Sequence, residues 1–295
     1  MTTLQNKIDF AVILRVKNAN PNGDPLNGNR PRTDYSNFGE MTDVSIKRKI
    51  RDRLLERWIA DGKKGDDGNM IFVQSDDRKA DDAKSLRARA EAVLGNKLGS
   101  DETTKLACEK WFDVRAFGQL FALKSNKKAG KKKEDGSDDE GDTGVSIGIR
   151  GPVTVQSAFS VEPIDITSTQ ITKSVSGEGD GTKRGSDTMG MKHRVDQGVY
   201  LFCGSMNPQL AERTLFSNAD AEAIKQVLPK LLENDESSAR PAGSMEVLKV
   251  IWWKHNCKAG QYSSAKVHRT LTVNPDGSAA LENLDGLEPE ILDGF

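Results

Sequence analysis

The chain has 295 residues, 36% hydrophobic and 29% charged, with a formal net charge of −1. That length suits one decorated domain with a substantial core, and no apolar run approaches the roughly 18 residues of a membrane span. The opening MTTLQNKIDF has no apolar segment behind a basic start, so secretion is not expected, and the reading is a cytoplasmic chain with no membrane partner.

Ile8, Phe10, Val12, Leu14 and Val16 alternate with Asp9, Ala11, Ile13, Arg15 and Lys17, the period of a half-buried strand. Residues 18–34, NANPNGDPLNGNRPRTD, then gather five asparagines, three prolines, two glycines and two arginines. Thr42 is placed to cap a helix that buries Val44, Ile46, Ile50, Leu54, Leu55, Trp58 and Ile59 and stops before Gly62. Its other side, with Lys47, Arg48, Lys49, Arg51, Arg53 and Arg57, reads as exposed and basic. MIFVQ at 70–74 reads as a short strand, and helical stretches follow at about 78–94 and 101–123. Residues 124–144 carry six lysines and then six acidic residues without a large apolar side chain, so 125–144 is expected to be a disordered loop. Strand patterns return at 145–164, 198–204, 245–255 and 266–273, with a helix from about Asp220 to Asn234. Residues 165–197 form a Ser/Thr/Gly-rich arm that starts with strand-like alternation, the pattern of a long hairpin or a lid. The whole describes an α+β sheet domain with long insertions and no internal repeat.

Charge is unevenly distributed. Residues 1–60 carry eleven Lys/Arg against seven Asp/Glu, whereas from Leu271 onward there are six acidic residues and no basic one. The front is therefore the candidate anion-binding part, and the tail reads as a solvated acidic edge.

Asn18, Asn20, Asn22 and Gly23 occupy positions 1, 3, 5 and 6 of a possible calcium loop, but position 1 lacks a carboxylate and position 12 is Asn29 instead of Glu. The loop fits an anion site better. Gly23 and Gly28 allow close backbone approach, asparagine tolerates left-handed conformations, and turned amides form concave anion sites. Arg30 and Arg32 flank Pro31 and project to one side, while the following helix offers Lys47, Lys49 and Arg51 near its N-terminal half. An ordinary strand-to-helix connection and a solvated basic face are the plain alternatives. On the arm, Lys173, Lys183, Arg184, Lys192, His193 and Arg194 supply cationic or titratable groups, and Met189 and Met191 are flexible side chains able to wedge between bases. GEGDGTKRG, inside the arm, lacks the flanking strand and helix of a nucleotide-binding loop. Cys108, Cys203 and Cys257 form no CxxC pair, and His193, His255 and His268 have no helical metal spacing, so neither disulfide, metal nor cofactor is expected. No hydrolase, metalloprotease, Walker or kinase signature occurs.

NPNGDPLNGNRPRTD, GEMTDVSIKRKIRD, DVRAFGQLF and TMGMKHRVDQGVYLFCGSMNP together resemble the Cas-seven family of CRISPR-associated proteins, in particular the backbone subunits of type I-C (Dvulg subtype) Cascade. The resemblance extends over most of the chain. It implies a modified RNA-recognition-motif (ferredoxin-like) palm within one domain over 1–295, helical fingers at 61–123 and a β-hairpin thumb at 165–197. It implies a non-enzymatic, homo-oligomeric scaffold that grips the backbone of a CRISPR guide RNA (crRNA), presents it to target DNA, joins other Cascade subunits and leaves cleavage to a recruited nuclease-helicase. The guide contacts it implies lie in the loop (Asn18, Asn20, Asn22, Gly23, Asn29, Arg30, Arg32), the helix (Lys47, Lys49, Arg51) and the thumb (Lys173, Met189, Lys192, His193, Arg194). With aromatics at only 6%, the base-stacking signature of ordinary RNA-recognition motifs is missing, which suits a protein indifferent to guide sequence. The alternatives are a metal-independent endoribonuclease that processes the guide precursor, with His193 as its base, and a self-assembling protein without nucleic acid.

Overall fold

Twelve residues, Ile8–Ala19, form β1, whose alternation places Phe10, Val12 and Leu14 on one sheet face and Ala11 and Ile13 on the other. A computed structural model of the chain describes residues 2–62, 68–123, 145–173 and 189–295. After β1 come a small hairpin, β2 (Gly23–Asp24) and β3 (Arg30–Pro31), then β4 (Phe38–Met41) and α1 (Asp43–Ala60). Next are α2 (Leu86–Leu94), α3 (Thr103–Lys110), α4 (Phe112–Phe117), β5 (Gly118–Leu123) and β6 (Val145–Arg150). β7 (Val153–Val155), β8 (Ala158–Pro163), β9 (Ile166–Thr172) and the long β10 (Met189–Met206) follow. The chain then forms α5 (Pro208–Thr214), α6 (Asn218–Val227), β11 (Met245–Lys254), α7 (Ser264–Arg269), β12 (Leu271–Val273), β13 (Ala279–Leu281) and β14 (Glu290–Asp293).

The main sheet is antiparallel, in the order β14-β11-β1-β10-β8-β4, with β7 and β9 also paired to β10. Its inner face, with Phe10, Val12, Phe202 and Trp252, packs against Ile46, Ile50 and Leu54 of α1 and Ile224 of α6. The outer face, with Ala11, Ile13, Val199, Ile251 and Trp253, is covered by Val267, Leu271, Leu284 and Leu287 from the C-terminal segment. A third cluster lies within 72–149: Phe72 meets Trp111 and Phe121 at ring-centroid distances of 4.7 and 5.3 Å, beside Leu94, Val114 and Ile149.

Several expectations give way. MIFVQ is not a strand: apart from one bridge from Met70 to Trp111, the amides of Phe72 and Val73 are held at 2.7 and 3.0 Å by the Asp113 carboxylate instead of a neighbouring strand. The first helical stretch begins only at Leu86, under the Ser85 cap. The second breaks at Trp111 and again at Gly118, whose φ of 82° turns the chain into β5; a side chain there would collide with the Ile149 carbonyl. Residues 264–269 are helical because Ser263 caps Lys266, leaving only 271–273 extended, since two-residue alternation over so short a run does not separate strand from helix. The acidic tail is not a free edge. β14 pairs with β11, while Glu290 and Asp293 meet Lys225 and Lys249 at 2.5 and 2.8 Å. The expected loop at 125–144 lies outside the described residues.

Among the described residues no helix is long and apolar enough to cross a membrane. Cys108 and Cys203 are buried thiols, each pushed up to about 12 by burial.

Under the C-terminal cover, the buried Asp9 carboxylate takes His255 Nε2 at 2.9 Å and Lys7 Nζ at 3.0 Å, and His268 stands 3.7 Å away while its Nε2 reaches the Gly204 carbonyl at 3.2 Å. Burial lowers the His268 pKa from its ordinary 6.5, against the opposing pull of Asp9. A histidine depressed in the fold stays neutral while the unfolded chain takes up a proton, so stability declines as pH falls below 6.5 toward the folded-state value. A second decline starts near 3.8: burial alone would raise Asp9, but hydrogen bonds from His255, Ser264 and Lys7 hold it lower. Unfolding midpoints of the wild-type chain are expected to drop as pH falls below 6.5, with a shallower drop in His268→Gln. Equal slopes in the two proteins would show that His268 does not titrate on unfolding.

Candidate nucleic-acid interface

The Asn/Gly loop is built from left-handed turns and internal ties. Asn18, Gly28, Asn29 and Asn37 have φ of 55°, 58°, 58° and 64°, conformations that few other residues adopt cheaply. Asn18 reverses the facing of β1. Lys17 lies exposed on the outer side, opposite Gln197, whereas Ala19, opposite Val195, enters the inner core. A Cβ at Gly23 would collide with the Asn29 side chain. Asn20, only 3% exposed, donates from Nδ2 to the Asn29 carbonyl at 2.6 Å, and its amide donates to the Ala239 carbonyl. Asn22 Oδ1 accepts from the Thr42 amide and hydroxyl at 2.9 and 3.1 Å, tying the loop to the start of α1, where Thr42 Oγ1 caps Ser45.

These ties correct the expectation of an open amide cradle. The Leu26 amide is capped by the Asp24 carboxylate, the Asn29 amide by the Asp24 carbonyl and the Arg32 amide by the Asn22 carbonyl. Nor do Arg30 and Arg32 converge: Arg32 pairs with Asp24 at 3.3 Å, and Arg30 Nη1 reaches across to Ser168 Oγ at 3.1 Å.

The continuous exposed basic face expected on α1 is also not found, because carboxylates meet most of it; of its basic residues Arg48 and Arg57 alone stay exposed, Arg57 on Gln226 at 2.9 Å. Lys49 is 4% exposed and bonds to Asp235, and burial, offset by that carboxylate, lowers its pKa to about 8. Arg51 binds Asp113 at 2.9 Å and lies 5.0 Å over the Phe117 ring. Arg53 is buried against the Glu233 carbonyl and Glu56, and Arg48 meets Asp52 and Asp235 at 3.3 and 3.4 Å. Lys47 pairs with Asp43 at 2.9 Å, one turn back on its own helix. Of the three helix candidates, Lys47 is the one held only by a neighbour in its own helix; Lys49 and Arg51 brace the core.

On the arm, β9 and β10 pair from Ile166–Val195 out to Thr172–Met189. The register sets Ser168 opposite His193, Gln170 opposite Met191 and Thr172 opposite Met189, so His193 and the two methionines share one face. Lys192 and Arg194 lie on the other, with Arg194 3.5 Å from Asp196; Lys173 directly follows β9. Met189 and Met191 are 66% and 54% exposed. At the arm's base Ser168 Oγ lies 2.8 Å from His193 Nδ1 while accepting from Arg30, so loop and arm meet at one hydroxyl.

Sequence reasoning did not single out Ser168 or Lys17. The strand alternation of DITSTQIT places Ser168 on a face with Gln170, but its opposite number depends on a register no local pattern encodes. Lys17, without an ion pair among the described residues, is signalled only by its place before Asn18. The covered outer face leaves no open aromatic platform for stacking bases there.

Residues 6–288 match the family model described as CRISPR-associated protein Cas7. A curated relative, CRISPR-associated protein Cas7 of Haloferax volcanii, is 25% identical over 301 aligned positions, covering 99% of this chain and 82% of that protein. A chain of the solved structure named CRISPR RNA-guided surveillance complex, pre-nicking, is 14% identical, with 84% of this chain and 78% of that one covered at a TM-score of 0.47. A chain of another CRISPR RNA-guided surveillance complex is 18% identical, with 95% and 77% covered at a TM-score of 0.43.

Proposed function

This chain belongs to the CRISPR-associated Cas7 family, and from that premise we propose that it is the guide-RNA-binding backbone subunit of a type I-C Cascade complex in the cytoplasm. Copies oligomerise along the crRNA, associate with the other Cascade subunits and hold the guide for pairing with target DNA, while a recruited nuclease-helicase performs cleavage. The observation that carries this reading is the meeting of the Asn/Gly loop and the arm at Ser168, which sets Arg30, His193 and the exposed methionines around one path. The donor-only Arg30 guanidinium there suits a phosphate ribbon, and the covered outer sheet face suits a protein that leaves base edges free.

The architecture supports the division into palm, fingers and thumb. Strand order β11-β1-β10-β8, with α1 between β1 and β8 and α6 between β10 and β11, supports the ferredoxin-like palm of this reading. The cluster around Trp111, closed by Ile149, supports reading 61–123 as the fingers, and the pairing of β9 with β10 supports reading 165–197 as the thumb. Lys17, Arg30, Lys47, Lys192, His193 and Arg194 are the accessible guide contacts in this reading. Asn18, Asn20, Asn22, Gly23, Asn29, Arg32, Lys49 and Arg51 shape or brace the surface that carries them, and Lys173, Met189 and Met191 extend it along the thumb.

Expressed with its partner subunits and a guide array, the chain is expected to co-purify with discrete RNA of uniform length. Lys17→Glu should weaken binding of unrelated RNA sequences alike and reduce the salt slope by about 1. A nucleic-acid-free assembly, or a loss confined to one sequence, overturns the reading. The endoribonuclease alternative draws on the bond between His193 and Ser168. It predicts site-specific cuts in precursor RNA that His193→Ala abolishes.

A further inference from the structure

Ser168 is the hub between two elements that approach from separate parts of the chain. Arg30, on β3, donates from Nη1 into one Ser168 Oγ lone pair at 3.1 Å. His193, directly opposite Ser168 in the β9–β10 ladder, brings Nδ1 to the same oxygen at 2.8 Å. A serine hydroxyl has one proton and two acceptor sites. With a guanidinium N–H on one acceptor site, the other acceptor site and the hydroxyl proton are both open to His193 Nδ1, so the contact forms with either imidazole tautomer. Either way Nδ1 is the ring nitrogen engaged, leaving Nε2 on the thumb face shared with Met189 and Met191.

We propose that Ser168 is a positioning residue of the RNA path: it docks the Arg30 guanidinium against the thumb and pins the His193 ring through Nδ1, so that loop and thumb address the same phosphodiester. This rests on the RNA-binding reading above and adds to it a residue outside every candidate motif. Arg30 keeps Nη2 and Nε for a phosphate while Nη1 is engaged, an orientation a lysine, with a single rotating ammonium, does not reproduce. The guanidinium presents only donors to the ligand, which favours the anionic backbone over base edges.

The test is a double-mutant cycle on the full chain, read as affinity for a single-stranded RNA of mixed sequence, with unfolding midpoints measured in parallel. Ser168→Ala is expected to lower RNA affinity about tenfold, from one lost charge-assisted hydrogen bond and a freed arginine, with the unfolding midpoint unchanged. Ser168→Thr, which keeps the hydroxyl on a strand position, restores affinity to within about threefold of wild type. Arg30→Lys lowers affinity in the wild-type background and has a smaller effect beside Ser168→Ala, because the orientation is already lost. Additive effects of the two substitutions, or wild-type affinity in Ser168→Ala, overturn the positioning role while leaving RNA binding intact. A wild-type chain that binds no RNA overturns the underlying reading and the positioning role with it.

Discussion

Replacing Asp235 with alanine is expected to lower the unfolding free energy by about 3–5 kcal/mol, the cost of stranding a buried charge. Asp235 faces Lys49, Arg48 and Arg240, the last at 2.9 Å, and its side chain is 7% exposed. Burial alone would raise its pKa, but Lys49 first, then Arg240 and Arg48, hold it below the ordinary carboxylate value. Without it, Lys49 has lost the carboxylate that offsets its own burial. Denaturant titration should show a lower midpoint with an unchanged slope. Lys49→Met combined with Asp235→Leu should lose less than Asp235→Ala alone, because neither charge is then left unpaired. A change under about 0.5 kcal/mol in Asp235→Ala would mean the cluster is solvated and contributes little. The same geometry changes how charge reversals on α1 are interpreted: Lys49→Glu sets a second carboxylate against Asp235, so any loss of RNA binding there reports damage to the fold.

Replacing residues 170–191 with Asn-Gly is expected to leave the folded chain intact and abolish ordered assembly on RNA. Thr169 pairs with Lys192, so a two-residue turn closes the shortened hairpin in register, and Ser168 and His193 are kept. The described residues removed are exposed, whereas Ile164 and Val195 at the arm's root belong to the core and remain. Apparent affinity for long RNA should fall by about a hundredfold or more, the avidity lost when neighbouring copies no longer bridge. Sizing of complexes on RNA of increasing length measures this directly. An unfolded variant would show that the arm supports the core, and unchanged assembly would remove the thumb from the proposed function.

The candidate site was partly legible. Asparagine and glycine in the loop pointed to left-handed turns, and Asn18, Gly28 and Asn29 adopt them. Their purpose is different from an amide cradle: the turned amides are capped internally, and Asn20 and Asn22 lock the hairpin to the 239 carbonyl and to Thr42. Composition identifies residues that tolerate a conformation, not where the freed hydrogen-bonding groups go. Arg30 was singled out as a site candidate from the loop, but its partner Ser168 lies 138 positions away.

The sequence by itself determined the opening strand, the Thr42-capped helix and the sheet strands around 198–204 and 245–255, because hydrophobic period and capping chemistry act between residues a few positions apart. Only the tertiary structure decided which charges are available. Lys49 and Asp235 are 186 positions apart, Arg51 and Asp113 62, and the residues covering the outer sheet face come from the C-terminal segment. A cation becomes a brace or a contact according to whether a carboxylate arrives beside it, and that is set by chain path and register rather than by its neighbours in sequence.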